Sequence, residues 1–134
     1  MSSPSEIIDR ETASYREEAF RIPESDWPAD VCAVYRSLES QVFEEGLSAQ
    51  MIVGELGIRS NDIYSRFKHY TDRGIKEFIL HHRLRLSKRL LQRTSLSVSQ
   101  IAFAVGYASP SGFCTTFKRH EDCTPTEFRT RTEE

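Results

Sequence analysis

At 134 residues, with 18 Lys and Arg against 20 Asp and Glu, the chain has room for one domain, or one domain with an appendage, and for a modest core. Residues 1–47 hold 11 acidic and 4 basic side chains whereas residues 48–134 hold 9 and 14, so only the later portion is compatible with phosphate binding. The start MSSPSEIIDRETAS has neither a basic segment nor an apolar run, and no uncharged stretch nears the roughly 18 residues of a membrane span, so secretion and membrane insertion are not expected and a cytoplasmic location is.

Ser3-Pro4-Ser5-Glu6 has the form of a helix start: a Ser cap, Pro at the first helical position and Glu three residues after the cap. A helix to about Phe20 would carry only Ile8, Tyr15 and Ala19 as apolar contacts, so residues 1–27 are expected to form a loosely ordered acidic extension. An inter-domain remnant, a partner-binding helix or an arm shielding the basic half are the alternatives. Pro23 and Pro28 mark the boundary before the main domain, residues 28–134. From Pro28 to Glu45, Val31, Val34, Tyr35, Leu38, Val42 and Phe43 follow helical spacing, and Gly46 supplies a stop.

Ser48 caps a short predicted helix to Leu56, Gly57 allows a tight turn, and a second helix is expected from about Ser60 to Tyr70, followed by Asp72 in a left-handed conformation. This completes a first unit, about 28–73. The central stretch 75–91, IKEFILHHRLRLSKRLL, repeats apolar side chains at three and four residues and reads as one long helix. Adjacent His81 and His82 point about 100° apart on such a helix and suit satisfied or surface roles rather than a shared metal. A second unit, about 97–134, begins with capping-box spacing at Ser97 and Gln100, turns at Gly106-Tyr107, starts a helix at Ser109-Pro110 and ends on a capped helix from Thr124-Pro125. With no alternating strand pattern, the predicted fold is all-α: two helix-turn-helix subdomains joined by a long central helix, about seven core helices, plus the N-terminal helical extension.

The two units are copies. Residues 63–78 set against 113–128 give five identities in sixteen: Phe67/Phe117, Lys68/Lys118, Asp72/Asp122, Glu77/Glu127 and Phe78/Phe128. Upstream the offset is 49 rather than 50, pairing Ile52 with Ile101 and Gly57 with Gly106, so the second turn has gained a residue. A helix-turn-helix lets one helix protrude into a major groove roughly 12 Å wide while its partner braces it. Two of them on a rod of roughly 25 Å would approach the spacing of consecutive grooves.

From Leu47 to Arg129 the chain resembles the paired helix-turn-helix domain of AraC/XylS-type transcriptional regulators. The resemblance rests on Arg83-Leu84, Leu90-Leu91, Ser97, Ile101-Ala102, Gly106-Tyr107, Phe113, Phe117-Lys118 and Thr124-Pro125 through Phe128-Arg129, with Gly57, Ile63, Phe67-Lys68 and Phe78 in the first copy. It implies a regulator that binds double-stranded DNA as a monomer or weak dimer, reads two adjacent major-groove segments and has RNA polymerase as a further partner. By position, Asn61, Asp62, Tyr64 and Ser65 would face bases from the first reading helix, and Ser111, Gly112, Cys114 and Thr115 from the second. Arg66, Lys68, Lys118 and Arg119 would meet phosphates. The chain departs from the family at Ser65 and Thr115, where Arg is usual, which leaves open an interaction module of the same fold that acts mainly through protein contacts with RNA polymerase or another regulator.

No nucleophile triad, paired carboxylates or Gly-rich phosphate loop is visible, so no enzyme activity and no cofactor are expected. Cys32, Cys114 and Cys123, odd in number and without Cys-x-x-Cys spacing, read as reduced thiols; His120 to Cys123 with Cys114 lacks four ligands, and no metal is expected.

Overall fold

The computed structural model describes residues 2–133. Eight helices account for its regular structure: α1 Pro4–Ala19, α2 Ala29–Gln41, α3 Ala49–Glu55, α4 Ile63–Thr71, α5 Ile75–Arg93, α6 Val98–Ala104, α7 Pro110–Glu121 and α8 Pro125–Glu133. There is no strand among the described residues. The all-helical expectation and the paired units on a central rod are therefore observed.

The duplication is visible in the helix bounds. Helices α3 and α6 are each seven residues long and start 49 residues apart, and α5 and α8 start 50 apart. Gly57 and Gly106 both take positive φ, 69° and 107°, at the turn that follows the first helix of each copy. Asp72 and Asp122 close α4 and α7 in the left-handed region at φ 70° and 61°, a conformation aspartate tolerates better than most residues.

Helix α5 divides the core. Its first half, through Ile75, Phe78 and Ile79, joins a cluster with Val31, Ile52 and Phe67 from α2, α3 and α4. Its second half, through Leu86, Leu90 and Leu91, joins a cluster with Ile101, Phe113 and Phe117 from α6 and α7. Phe67 and Phe117 are both fully buried, which makes them anchors of their units rather than stacking surfaces. Ser87, also fully buried, keeps its hydroxyl satisfied by donating to the Leu84 carbonyl at 2.7 Å.

Two expectations change. Helix α2 ends at Gln41, not Glu45, because the carbonyls of Val42 and Glu44 accept hydrogen bonds from Arg83 of α5, at 2.8 Å from Nε and 2.7 Å from a terminal nitrogen. The acidic extension is not loose: Ser3 accepts from the Glu6 amide as predicted, and α1 packs along α5. Tyr15 is 1% exposed and shares a 2.6 Å hydrogen bond with His82 Nδ1, while Glu18 pairs with Arg89 and Glu11 lies 3.8 Å from Arg93. Phe20, at the end of α1, touches both core clusters. Few apolar positions suffice because one of them is an aromatic ring with a buried polar partner.

Candidate nucleic-acid interface

Each copy builds its protruding helix differently at the start. In the second copy Ser109 accepts from the Gly112 amide at 3.1 Å and Pro110 occupies the first turn, so α7 begins at Pro110 and runs twelve residues. In the first copy Arg59 and Ser60 stand in those places, and α4 begins only at Ile63, three residues later than predicted. Asn61 and Asp62 therefore sit in a turn before the helix. Ser109→Ala is expected to destabilise the protein by about 1 kcal/mol and to fray the first turn of α7. A urea midpoint unchanged from the parent would show that the cap is not needed.

Asn61, Tyr64, Ser65, Ser111, Gly112 and Thr115 are exposed. Cys114 is half-buried against the second core cluster and so presents less of itself than its neighbours on α7. The hydroxyl of Ser65 donates to the Asp62 carbonyl at 3.0 Å. Asp62 accepts from Ser60 Oγ at 2.5 Å and lies 3.3 Å from Arg66, and these contacts hold its carboxyl below the ordinary aspartate value.

Arg66 departs from the expectation of a free phosphate-binding cation. Two of its nitrogens donate to the two carboxylate oxygens of Asp30 on α2, at 2.9 and 2.5 Å. That fork raises the Arg66 pKa and, with burial opposing it, lowers that of Asp30. Lys68, Lys118 and Arg119 are exposed and have no carboxylate within 4.0 Å among the described residues. They lie in the last turns of α4 and α7, where a cation also complements the helix dipole.

Beside the first protruding helix is an open groove of about 600 Å³, bounded by Asn61 and Tyr64, by Ser48 and Gln50 of α3, and by Lys76 in the first turn of α5. Sequence reasoning missed Gln50 and Lys76. Nothing in their spacing sets them apart from solvated helix positions, and only the packing of α3 and α4 on α2, and of α5 on α4, brings them to Asn61.

Arg83, 8% exposed, is the brace between units. Besides the two carbonyls of the chain after α2 it sits 5.6 Å from the centre of the Tyr107 ring, in the turn of the second copy. Burial lowers its pKa and raises that of Tyr107. Arg129 does a similar task at the other end, donating to the Leu91 and Thr94 carbonyls at the C-terminus of α5. No group of three His, Cys, Asp or Glu side chains among the described residues is placed to hold a metal ion, and no described helix is long and apolar enough to cross a membrane.

Helices α4 and α7, each preceded by a seven-residue helix and each packed into one of the two core clusters that α5 divides, define a paired helix-turn-helix domain. Residues 52–131 match the family model described as a helix-turn-helix domain. The chain is 29% identical over 123 residues to the Msm operon regulatory protein of Streptococcus mutans, covering 92% of this chain and 42% of that protein. It superposes on a transcriptional regulator of Chromobacterium violaceum with an AraC-type DNA-binding domain at a TM-score of 0.62 and 30% identity, covering 78% of this chain and 92% of that one. On the DNA-binding domain of AdpA, solved in complex with a target DNA, the TM-score is 0.65 at 18% identity, with 74% and 91% covered. The chain belongs to the AraC/XylS family of transcriptional regulators. It spans less than half the length of its curated relatives.

Proposed function

We propose that the protein is a sequence-specific DNA-binding transcriptional regulator that acts in the cytoplasm and reads two adjacent major-groove segments of one duplex. The observation that carries this reading is the arrangement of α4 and α7 as two exposed polar helices on a single rigid rod. Nineteen residues of α5 give a length of roughly 28 Å. With the width of each unit added, that is compatible with the roughly 34 Å between consecutive grooves. Asn61 supplies the amide suited to adenine, and Ser111 and Thr115 supply small surfaces suited to thymine methyl groups. Lys68, Lys118 and Arg119 are the cations for phosphates, joined now by Lys76. One chain suffices for both segments, so the site need not be a palindrome. RNA polymerase is the partner such a regulator would address from its outward surface.

Titration of duplex binding against salt tests the reading. The log of the affinity is expected to fall with the log of salt at a slope of about −0.9 per phosphate neutralised, with several phosphates involved. Asn61→Ala should cost about 1–3 kcal/mol of discrimination at one base position and more than Ser111→Ala does, while Lys118→Ala weakens all sequences alike and reduces the slope by about one. Ser65 and Thr115 in place of arginine, and Arg66 held by Asp30, favour a second reading, an interaction module that works through protein contacts. A flat salt response, or no binding at low salt, would establish that module in place of the first reading.

A further inference from the structure

A cleft of about 200 Å³ opens on the opposite flank of α5 from the α3–α4 groove residues, where the chain after α1, the corner between α4 and α5, and the exposed face of α5 meet. Its cations are Arg21, Arg73 and Arg85, and Asp72 is its one carboxylate. His81 and His82 also line it, and burial together with the field of Arg73 and Arg85 pushes their pKa values down to about 4 and about 3, so both are neutral near pH 7. The lining thus carries two net positive charges at a place where Tyr35 and Phe78 supply apolar wall.

The rest of the same helix face shows what is unusual here. Lys88, Arg89 and Arg93 each meet a carboxylate: Glu121 at 3.1 Å, Glu18, and Glu11 at 3.8 Å. Arg73 and Arg85 meet none within 4.0 Å among the described residues, and Arg21 has only an exposed partner, Glu24, at 3.6 Å. Acidic side chains of the protein compensate one end of the basic stripe and leave the end inside the cleft uncompensated.

We propose that this cleft binds a small phosphoryl dianion, inorganic phosphate or the phosphate monoester of a compact metabolite, between Arg73 and Arg85. Guanidinium groups match the oxygens of phosphate in a fork geometry, and two uncompensated positive charges suit a dianion better than a single carboxylate. The volume lies below the roughly 300 Å³ at which pockets for drug-sized ligands begin, which admits a phosphate with a few carbons and excludes a nucleotide. The occupant would touch the segment after α1 and the corner after α4 together, and so tie the N-terminal helix to the unit that carries Asn61. Its binding is independent of whether the protein binds DNA, and the two can fail separately.

The test uses the full chain at constant ionic strength, with inorganic phosphate and then glycerol phosphate as probes, followed by calorimetry and phosphorus NMR. Saturable binding of one equivalent is expected, with preference for one probe identifying the source. Arg73→Ala and Arg85→Ala, both exposed and without internal ion pairs, should each weaken it by about tenfold or more, while Arg93→Ala leaves it within about twofold. DNA affinity of the two cleft variants, measured without phosphate, should fall less than about threefold. No saturable uptake of either probe up to about 10 mM, or equal uptake by the cleft variants, would overturn the proposal. Unsaturable uptake accompanied by a large loss of DNA affinity in those variants would overturn it too, by assigning Arg73 and Arg85 to the DNA backbone.

Discussion

Gly106→Ala is expected to remove roughly 3–5 kcal/mol of folding stability, whereas Gly57→Ala, at the matching turn of the first copy, removes about 1 kcal/mol. Both glycines have positive φ, so both substitutions strain the backbone. At Gly57 an added Cβ meets nothing within 4 Å; at Gly106 it would lie 2.8 Å from Arg83 Cζ. An arginine tip would ordinarily swing aside at little cost. This one donates to the carbonyls of Val42 and Glu44 and is buried, so displacing it leaves two acceptors and a cation without partners. Urea unfolding of the two variants decides the matter, since equal losses would mean that Arg83 yields freely.

The second large effect is acid sensitivity from His82. Its folded pKa is pushed down to about 3 by burial first and by His81, Arg85 and Arg73 after it. An unfolded histidine takes up its proton near pH 6.5. Between those values the unfolded chain holds a proton that the folded chain refuses, so stability falls as pH falls, by up to about 1.4 kcal/mol per unit. Above pH 6.5 neither state is protonated and the contribution is complete. His81, lowered to about 4, acts in the same direction. Asp30, Asp62 and Glu127 have lowered folded pKa values and begin to lose their contribution only as pH drops through the carboxylate range, so the limb from about pH 6.5 to 4.5 isolates the histidines. Replacing His82 by Leu and Tyr15 by Phe together should remove about half of that limb in denaturant unfolding followed from pH 7 to 4.5, with His81 supplying the rest. An unchanged slope would place the sensitivity elsewhere.

The features legible in the sequence were those whose chemistry is local. Ser97 and Gln100 form a reciprocal cap, Thr124 and Glu127 another, and Asp72 takes the left-handed position, each because the partner lies within a few residues. The duplication was readable because the copies keep the same apolar anchors. What escaped was set by distant partners. Arg66 was read as a free cation, but Asp30, 36 residues earlier, captures it. The N-terminal helix was read as loose, but the residue that secures Tyr15 is 67 positions away. The late start of α4 was open to local reasoning, since Arg59 cannot cap as Ser109 does, and the helix begins where burial of Ile63 takes over. For the interface, exposure of Ser111 follows from helical phase and that of Asn61 from its place in the turn before α4, whereas Lys76 reaches the groove only through the packing of one helix on another.

The seating of α1 bears on how the protein can be cut. Trimming at the proline-bounded segment between residues 23 and 28 looks like a clean excision of an acidic tail, yet it would strip the cover from Phe43, Phe78 and His82, which Tyr15 and Phe20 otherwise shield. The shortened chain would trade a soluble exterior for a sticky aromatic floor flanked by Arg89 and Arg93 deprived of their counterions, and its tendency to self-associate would come from the trimming rather than from any native assembly.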